Sequence, residues 1–381
     1  MEVVHVVFWG SLFMVVYPYI VYPILLYMFS NIFHKPIKRE EFIPHVTLII
    51  SVHNEERVIA DKLDNTLALE YPREKTEIIV ASDGSNDKTD EIVNGYAKRG
   101  IRLKKCPRQG KTACLNDAVT IASGEVILFS DANSHYDSGA VKEIVKNFAD
   151  PTVGVVTGGT TYVHRPNSKL HRTPGLHSDL EHWIKKLEST TGSCVGADGA
   201  IFAVRKRLFQ PLKEGDINDF VIPLKAVLQK YRVVFEKKAI CYEETSKDLI
   251  EEFRRQVRIT NRTLRGIFAH LEWLNLVRYP MFVFKLISHK LIRFFVPIFL
   301  LGAVSSNIAL WHFSILYKGL LMCHIIIYLI AFGSIMYELK GGYGHRLSVI
   351  GHFIFMNAAI GMGWWSLIRG KRFVTWYTVR S

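Results

Sequence analysis

From His45 to about Gly266, short β-branched runs alternate with stretches of helical spacing. V-T-L-I-I-S-V at 46–52 has the apolar continuity of a strand buried on both faces, Glu56–Leu69 has helical period, Glu77–Ala81 reads as a strand and Asp87–Lys98 as a helix. Ile101–Leu103, Lys111–Ala122, Val126–Ser130 and Gly139–Phe148 continue the alternation as strand, helix, strand and helix. This pattern predicts a mainly parallel α/β sheet covered by helices on both faces.

The ends of the chain follow a different rule. Val3–Phe33 is almost uncharged and exceeds the roughly 20 residues of one bilayer crossing; His34, Lys35, Lys38 and Arg39 follow at once. A cleaved signal would need a basic start, a shorter apolar core and a small-residue cleavage site, whereas Glu2 stands near the start here. The expectation is a retained transmembrane helix with its basic flank in the cytoplasm. Phe294–Trp311, Phe313–Ile335 and Leu347–Ile368 give about three further spans. Three crossings would put the basic tail (Arg369, Lys371, Arg372, Arg380) outside, against the positive-inside tendency, so the parity stays open. Tyr279–Arg293, with Lys285, His289, Lys290 and Arg293 among apolar residues, reads either as an interfacial helix or as an extension of the next span. The expected organisation is an N-terminal helix at 1–33, a cytoplasmic catalytic domain at 34–266, an interfacial segment at 267–293 and a membrane region with a basic tail at 294–381.

Composition sharpens this reading. An apolar share of 49% in 381 residues exceeds that of an ordinary soluble chain, and the excess sits at the ends. The formal charge of +13 does not imply nucleic acid, because much of it flanks the apolar segments and faces anionic lipid; the remainder suits an anionic nucleotide or polymer. Five cysteines without a C-x-x-C pair read as free thiols in a reducing compartment.

Candidate chemistry gathers at the strand ends, where open α/β sheets bind their ligands. The first strand ends in Ser51, Val52, His53, Asn54 and Glu55, and the second in Asp83, Gly84 and Ser85. Asp131 and Asn133, two apart, offer oxygen ligands to a hard cation that binds phosphate oxygens. Any one tip alone is equally well a helix cap; three polar tips on one edge describe a nucleotide-diphosphate site. Gly110, Lys111 and Thr112 imitate the end of a P-loop, but Lys105 stands where its first glycine belongs, and no G-x-G-x-x-G follows the first strand. An ATPase or a dinucleotide dehydrogenase thereby loses its main support.

In this order the motifs S-V-H-N-E (51–55), S-D-G-S (82–85), G-K-T-A-C-L-N (110–116), S-D-A-N (130–133), G-A-D-G-A-I-F-A-V-R-K (196–206), N-D-F (218–220) and R-R-Q-V-R (254–258) cover the middle domain. The set resembles the membrane-bound family 2 glycosyltransferases of GT-A fold, the group of cellulose, chitin, hyaluronan and poly-N-acetylglucosamine synthases. The resemblance implies that Asp83 binds the nucleoside, that Lys111 lies near the diphosphate and that Asp131 opens the metal-binding D-x-D, with Asn133 in its second acidic position. It implies a divalent cation, Mg²⁺ or Mn²⁺, and Asp219 as the base that deprotonates the acceptor hydroxyl, with Asp216 as the neighbouring alternative or Asp219 as a helix cap. Of the expected Q-x-x-R-W only Arg258 remains; Arg255 replaces the glutamine and still suits a diphosphate, while Ile259 replaces the tryptophan on which a growing glycan would stack. The implied function is inverting transfer from a nucleotide-diphosphate sugar, a UDP-sugar by analogy, to a lipid-linked or polysaccharide acceptor at the plasma membrane, with other polysaccharide-assembly proteins as candidate partners. A processive synthase and a catalytically silent nucleotide-binding scaffold are the rival readings.

The histidines at 164, 171, 177 and 182 are too widely spaced for a compact metal site, and His164–His182 is expected as a loop over the donor pocket. Asp198 and Gly199 are expected on the acceptor side, with a plain structural turn as the alternative.

Overall fold

Strand β1 (Val46–Val52) is buried along its whole length, as its uninterrupted apolar run requires of a strand covered on both sides. It pairs in parallel with β2 (Thr76–Asp83), which pairs in parallel with β3 (Ile101–Cys106), and on its other side with β4 (Val126–Asp131). The computed structural model describes residues 1–164, 171–172, 176–244, 248–275, 278–340 and 348–374.

Beyond β4 the sheet changes character. After the short β5 (His135–Tyr136) come β6 (Val153–His164), β7 (His171–Arg172), β8 (Ile201–Arg205) and β9 (Arg232–Glu244). The order is β3-β2-β1-β4-β8-β6-β9-β5, with β7 beside β6. β8 is antiparallel to both β4 and β6, while β6 and β9 run parallel, so the sheet is mixed rather than mainly parallel. The regular strand–helix alternation ends after Phe148, and with it the crossovers that enforce parallel pairing. The helices Ile59–Leu67, Lys111–Ile121 and Asn218–Leu228 pack on this sheet around a core that includes Leu48, Ile50, Val80, Leu128, Ile144 and Val156. His182, expected in a loop, lies on the helix Leu176–Thr190; of the remaining stretch, 165–170 and 173–175 fall outside the described residues.

The chain divides into two compact units. One contains the sheet and comprises 26–245, 265–283 and 373–381; the other comprises 1–25, 246–264 and 284–372. Among the described residues, three helical runs are long and apolar enough to cross a membrane: Glu2–Ile32, Pro280–Ala309 and Ile315–Leu339. The first contains a π turn at Tyr17–Val21, where Pro18 withholds a backbone donor. Tyr279–Arg293 therefore leads into the next span without a break, since Pro280–Lys285, a π turn at Leu286–Leu291 and Ile292–Ala309 form one run. Ser348–Ile368 is a further apolar helix, held by the Trp364 indole N–H donating to the Phe294 carbonyl at 2.7 Å. Leu301, Ile315 and Leu329 are 65–83% exposed, the surface expected of helices that face lipid.

Candidate active site

Parallel register brings the polar tips together. Val52 stands opposite Ser82, Ser51 opposite Asp131, and Asp83 opposite Cys106. Asp83 is fully buried. Its Oδ1 accepts the backbone N–H of Gln109 and of Gly110, each at 2.9 Å, and its other oxygen pairs with the Arg108 guanidinium. The carboxylate therefore shapes the 108–110 loop from beneath. His53 Nδ1 lies 2.9 Å from the Asp83 carbonyl; burial, then the Arg108 charge, holds its pKa below the usual value, so the neutral ring donates Nδ1–H. Gly84 (φ +62°) is obligatory, because a Cβ there would stand 2.9 Å from the Arg108 backbone nitrogen.

Lys111 opens the helix Lys111–Ile121, and its ammonium pairs with Asp131. Asn133, half-buried, makes no side-chain hydrogen bond among the described residues, leaving its carbonyl oxygen available. Asn54 takes the left-handed conformation (φ +53°), donates its N–H to Ser85 Oγ at 3.2 Å and accepts the Asn86 N–H at 2.9 Å. Glu55 is buried, with its N–H on Thr89 Oγ1 at 2.8 Å. Asn54, Glu55, Asp83, Lys111, Asp131 and Asn133 thus share one edge of the sheet.

The Asp219 segment is tied to the same edge. Thr112 Oγ1 donates to the Asp216 carbonyl at 2.9 Å, and Asn116 and Leu212 exchange two hydrogen bonds at 2.9 and 3.0 Å. Asp219 lies in the first turn of Asn218–Leu228, whose cap residue is Ile217; it is not the cap. Its carbonyl accepts the Ala197 N–H at 2.7 Å, and a Cβ on Gly199 would stand 2.9 Å from its Oδ2. Asp216, the alternative base, is buried, with its carboxylate on the Lys213 N–H (2.8 Å) and beside His270 Nε2 (3.5 Å). Of the two, Asp219 is the accessible carboxylate. Arg255 and Arg258 lie on the helix Leu249–Ala269, in the part belonging to the other unit; Arg255 is 3.5 Å from Glu252.

Three contributors were not singled out by sequence. Arg108 neutralises Asp83. Val374 packs its backbone on Gly110 (φ +94°), where a Cβ would stand 2.5 Å from the Val374 carbonyl. Lys62 is fully buried, donates to the Ser134 carbonyl at 2.5 Å and lies 4.0 Å from the Tyr136 ring centroid, bracing the turn that carries Asp131 and Asn133. Only Arg108 lay within sight, two residues before the G-K-T signal.

An open α/β sheet with acidic tips on the two strands that flank β1, a lysine at a helix start and a carboxylate on a neighbouring helix defines a GT-A type architecture. Residues 47–212 match the family model "Glycosyl transferase family 2". It is 26% identical over 261 residues to the poly-β-1,6-N-acetyl-D-glucosamine synthase of Staphylococcus aureus (strain COL), covering 65% of this chain and 62% of that one. The synthase of the same name from Staphylococcus epidermidis is 26% identical over 207 residues, 52% of this chain and 49% of that one. The chain thus spans less than two thirds of these relatives. In fold it is similar to the mannosyltransferase PcManGT from Pyrobaculum calidifontis, solved with GDP-Man and Mn²⁺, with a TM-score of 0.73 and 20% identity over 97% of this chain and 100% of that one. With three helices of spanning length, the protein is membrane-associated.

Proposed function

We propose that the protein is an inverting glycosyltransferase that moves a sugar from a nucleotide-diphosphate donor, UDP-linked as the sequence motifs suggest, to a lipid-linked or glycan acceptor on the cytoplasmic face of the membrane. The observation that carries this reading is the shared edge on which the buried Asp83 holds the 108–110 loop, Lys111 meets Asp131, and Asp219 stands on a segment bonded to that loop's helix. The donor's diphosphate lies against the Lys111 side of this edge, where the ammonium compensates charge on the leaving group. Asp219 takes the proton of the acceptor hydroxyl as its oxygen attacks the anomeric carbon. The bond to the diphosphate oxygen breaks with its electron pair leaving on the nucleotide, and the configuration inverts.

The donor set fits a hard divalent cation. Asp131 and Asn133 provide two oxygens two residues apart, and the Lys111 ammonium already stands on Asp131, marking that oxygen as a cation position. Such an ion would supply Lewis-acid stabilisation of the departing diphosphate. With one carboxylate rather than two, its affinity is lower than in a D-x-D pair.

The test is nucleotide release from a panel of UDP- and GDP-sugars by the full chain in lipid, with Mg²⁺ or Mn²⁺. One donor should support metal-dependent release. Asp219→Asn should lower it roughly 10²–10⁴-fold, the range of a general base, with donor binding retained. Binding without release from any donor would replace the enzyme by a nucleotide-binding scaffold.

A further inference from the structure

Away from the strand tips, a groove of about 630 Å³ runs between the helix Leu176–Thr190 and the paired strands β6 and β9. Gly159 lets His182 pack against β6 at one wall of it: a Cβ there would stand 2.6 Å from His182 Nε2. Register pairs Gly159 with Ile240 and Thr161 with Tyr242, and these residues, with Phe235 and Trp183, give the groove an apolar and aromatic lining. Lys186 and Lys237 complete it. Both are exposed, and neither has a carboxylate within ion-pair distance among the described residues. An apolar channel with two uncompensated ammonium groups complements an amphiphile with a phosphate head.

Its position supplies such a molecule. The Trp183 ring lies 6.5 Å, centroid to centroid, from that of Tyr27. Tyr27 sits in the last turns of the apolar helix Glu2–Ile32, within the stretch that belongs to the same unit as the sheet. Just past that helix, the Lys35 N–H donates to the Thr190 carbonyl at 2.8 Å, at the end of Leu176–Thr190. The groove therefore lies level with the point where the chain leaves the apolar layer, the depth of lipid headgroups and of Trp and Tyr belts.

The groove also adjoins the acceptor side. Lys185, next to Lys186, lies 3.7 Å from Asp198 Oδ2. Asp198 accepts the Thr160 N–H at 3.0 Å and its hydroxyl at 2.9 Å, beside Gly159. Its other neighbour, Gly199, packs on Asp219.

We propose that this groove binds the phosphate head and first carbons of a membrane lipid that carries the acceptor. The inference rests on the transferase reading for the word acceptor, but the binding site can be judged separately.

The experiment uses the full chain in phosphatidylcholine nanodiscs and two diazirine-bearing probes of equal chain length, an alkyl phosphate and the corresponding alcohol, with cross-linked peptides mapped by mass spectrometry. The phosphate should label 183–186 or 235–242 and the alcohol should not. Lys186→Gln with Lys237→Gln should cut that labelling at least about tenfold, through loss of two charge-assisted contacts. Lys186→Arg with Lys237→Arg should retain it. Equal labelling by the alcohol, or undiminished labelling of the glutamine variant, overturns the proposal. Excess inorganic phosphate that abolishes labelling also overturns it, since the site would then hold the free ion. Wild-type nucleotide release, measured alongside, separates the two readings: absent release removes the transferase without touching the labelling result, and release without labelling removes the groove alone.

Discussion

Asp83→Asn distinguishes a carboxylate that only binds ligand from one that builds the site. Asp83 has no exposed surface; one oxygen serves two backbone N–H groups at 2.9 Å, and the other faces Arg108. Asparagine preserves the shape but must turn an N–H₂ group either toward the guanidinium or toward those two amides. Breaking a buried pair by changing one partner costs about 3–5 kcal/mol. Arg108 retains 27% of its side-chain exposure, so water compensates part of its charge and the lower end, about 3 kcal/mol, applies. For a unit of this size each kcal/mol lowers the midpoint by roughly 2–4 °C, which gives a fall of about 6–12 °C. The assay is thermal unfolding of the full chain in detergent, without nucleotide, followed by near-UV circular dichroism. Asp83→Asn with Arg108→Gln should cost little more than Asp83→Asn alone, because the two side chains act as one pair. A midpoint within about 1 °C of wild type, accompanied by weaker nucleotide binding, would refute the structural role and leave Asp83 as a ligand only.

Three further outcomes are expected. Burial pushes the Lys62 ammonium down from 10.5 to about 8. Between those values the unfolded chain holds a proton that the folded one has released, so stability from this group rises as pH climbs through that window; Lys62→Met should remove this rise, and identical pH profiles of unfolding midpoint would contradict it. Asn133→Asp adds a second carboxylate beside Asp131 and should tighten Mn²⁺ binding roughly tenfold by calorimetry; unchanged affinity would place the cation elsewhere. Gly110→Ala puts a Cβ 2.5 Å from the Val374 carbonyl in a left-handed conformation, and should cost about 1–2 kcal/mol while weakening donor binding; full donor affinity would show that this contact is idle.

Strands β1, β2 and β4 are legible because each is an apolar run closed by a polar tip, and burial leaves no other use for such a run. β6 and β9 are not legible in this way. β9 reads R-V-V-F-E-K-K-A-I-C-Y-E-E, in which Lys237 and Lys238 interrupt the apolar period. It becomes a strand because β6 offers a long parallel partner and buries Val233, Val234, Ala239 and Cys241. β6 itself carries Gly158 and Gly159, which weaken a strand on local propensity; here they admit the Ala239 carbonyl on one side and His182 on the other. The Thr157/Gly159 irregularity in their pairing is a tertiary accommodation with no local signature.

The same contrast governs the site. A carboxylate that ends a strand announces itself, because the strand before it fixes where it points. Asp219 stands on a helix, and only tertiary bonds distinguish it from Asp216, three residues earlier: Asp216 is buried against Lys213 and His270, while Asp219 stays accessible beside Gly199. The lipid groove carries still less local information. Trp183 and Lys186 are one helical turn apart, and Phe235 and Lys237 are alternate residues of a strand, so each pair has an ordinary structural meaning in its own element. They acquire a common function only because Gly159 lets the helix seat His182 against β6, which pairs with β9. Replacing that glycine should displace His182 and reshape the groove while leaving Trp183, Lys186, Phe235 and Lys237 unaltered, and so a site of this kind is marked in sequence by what it lacks.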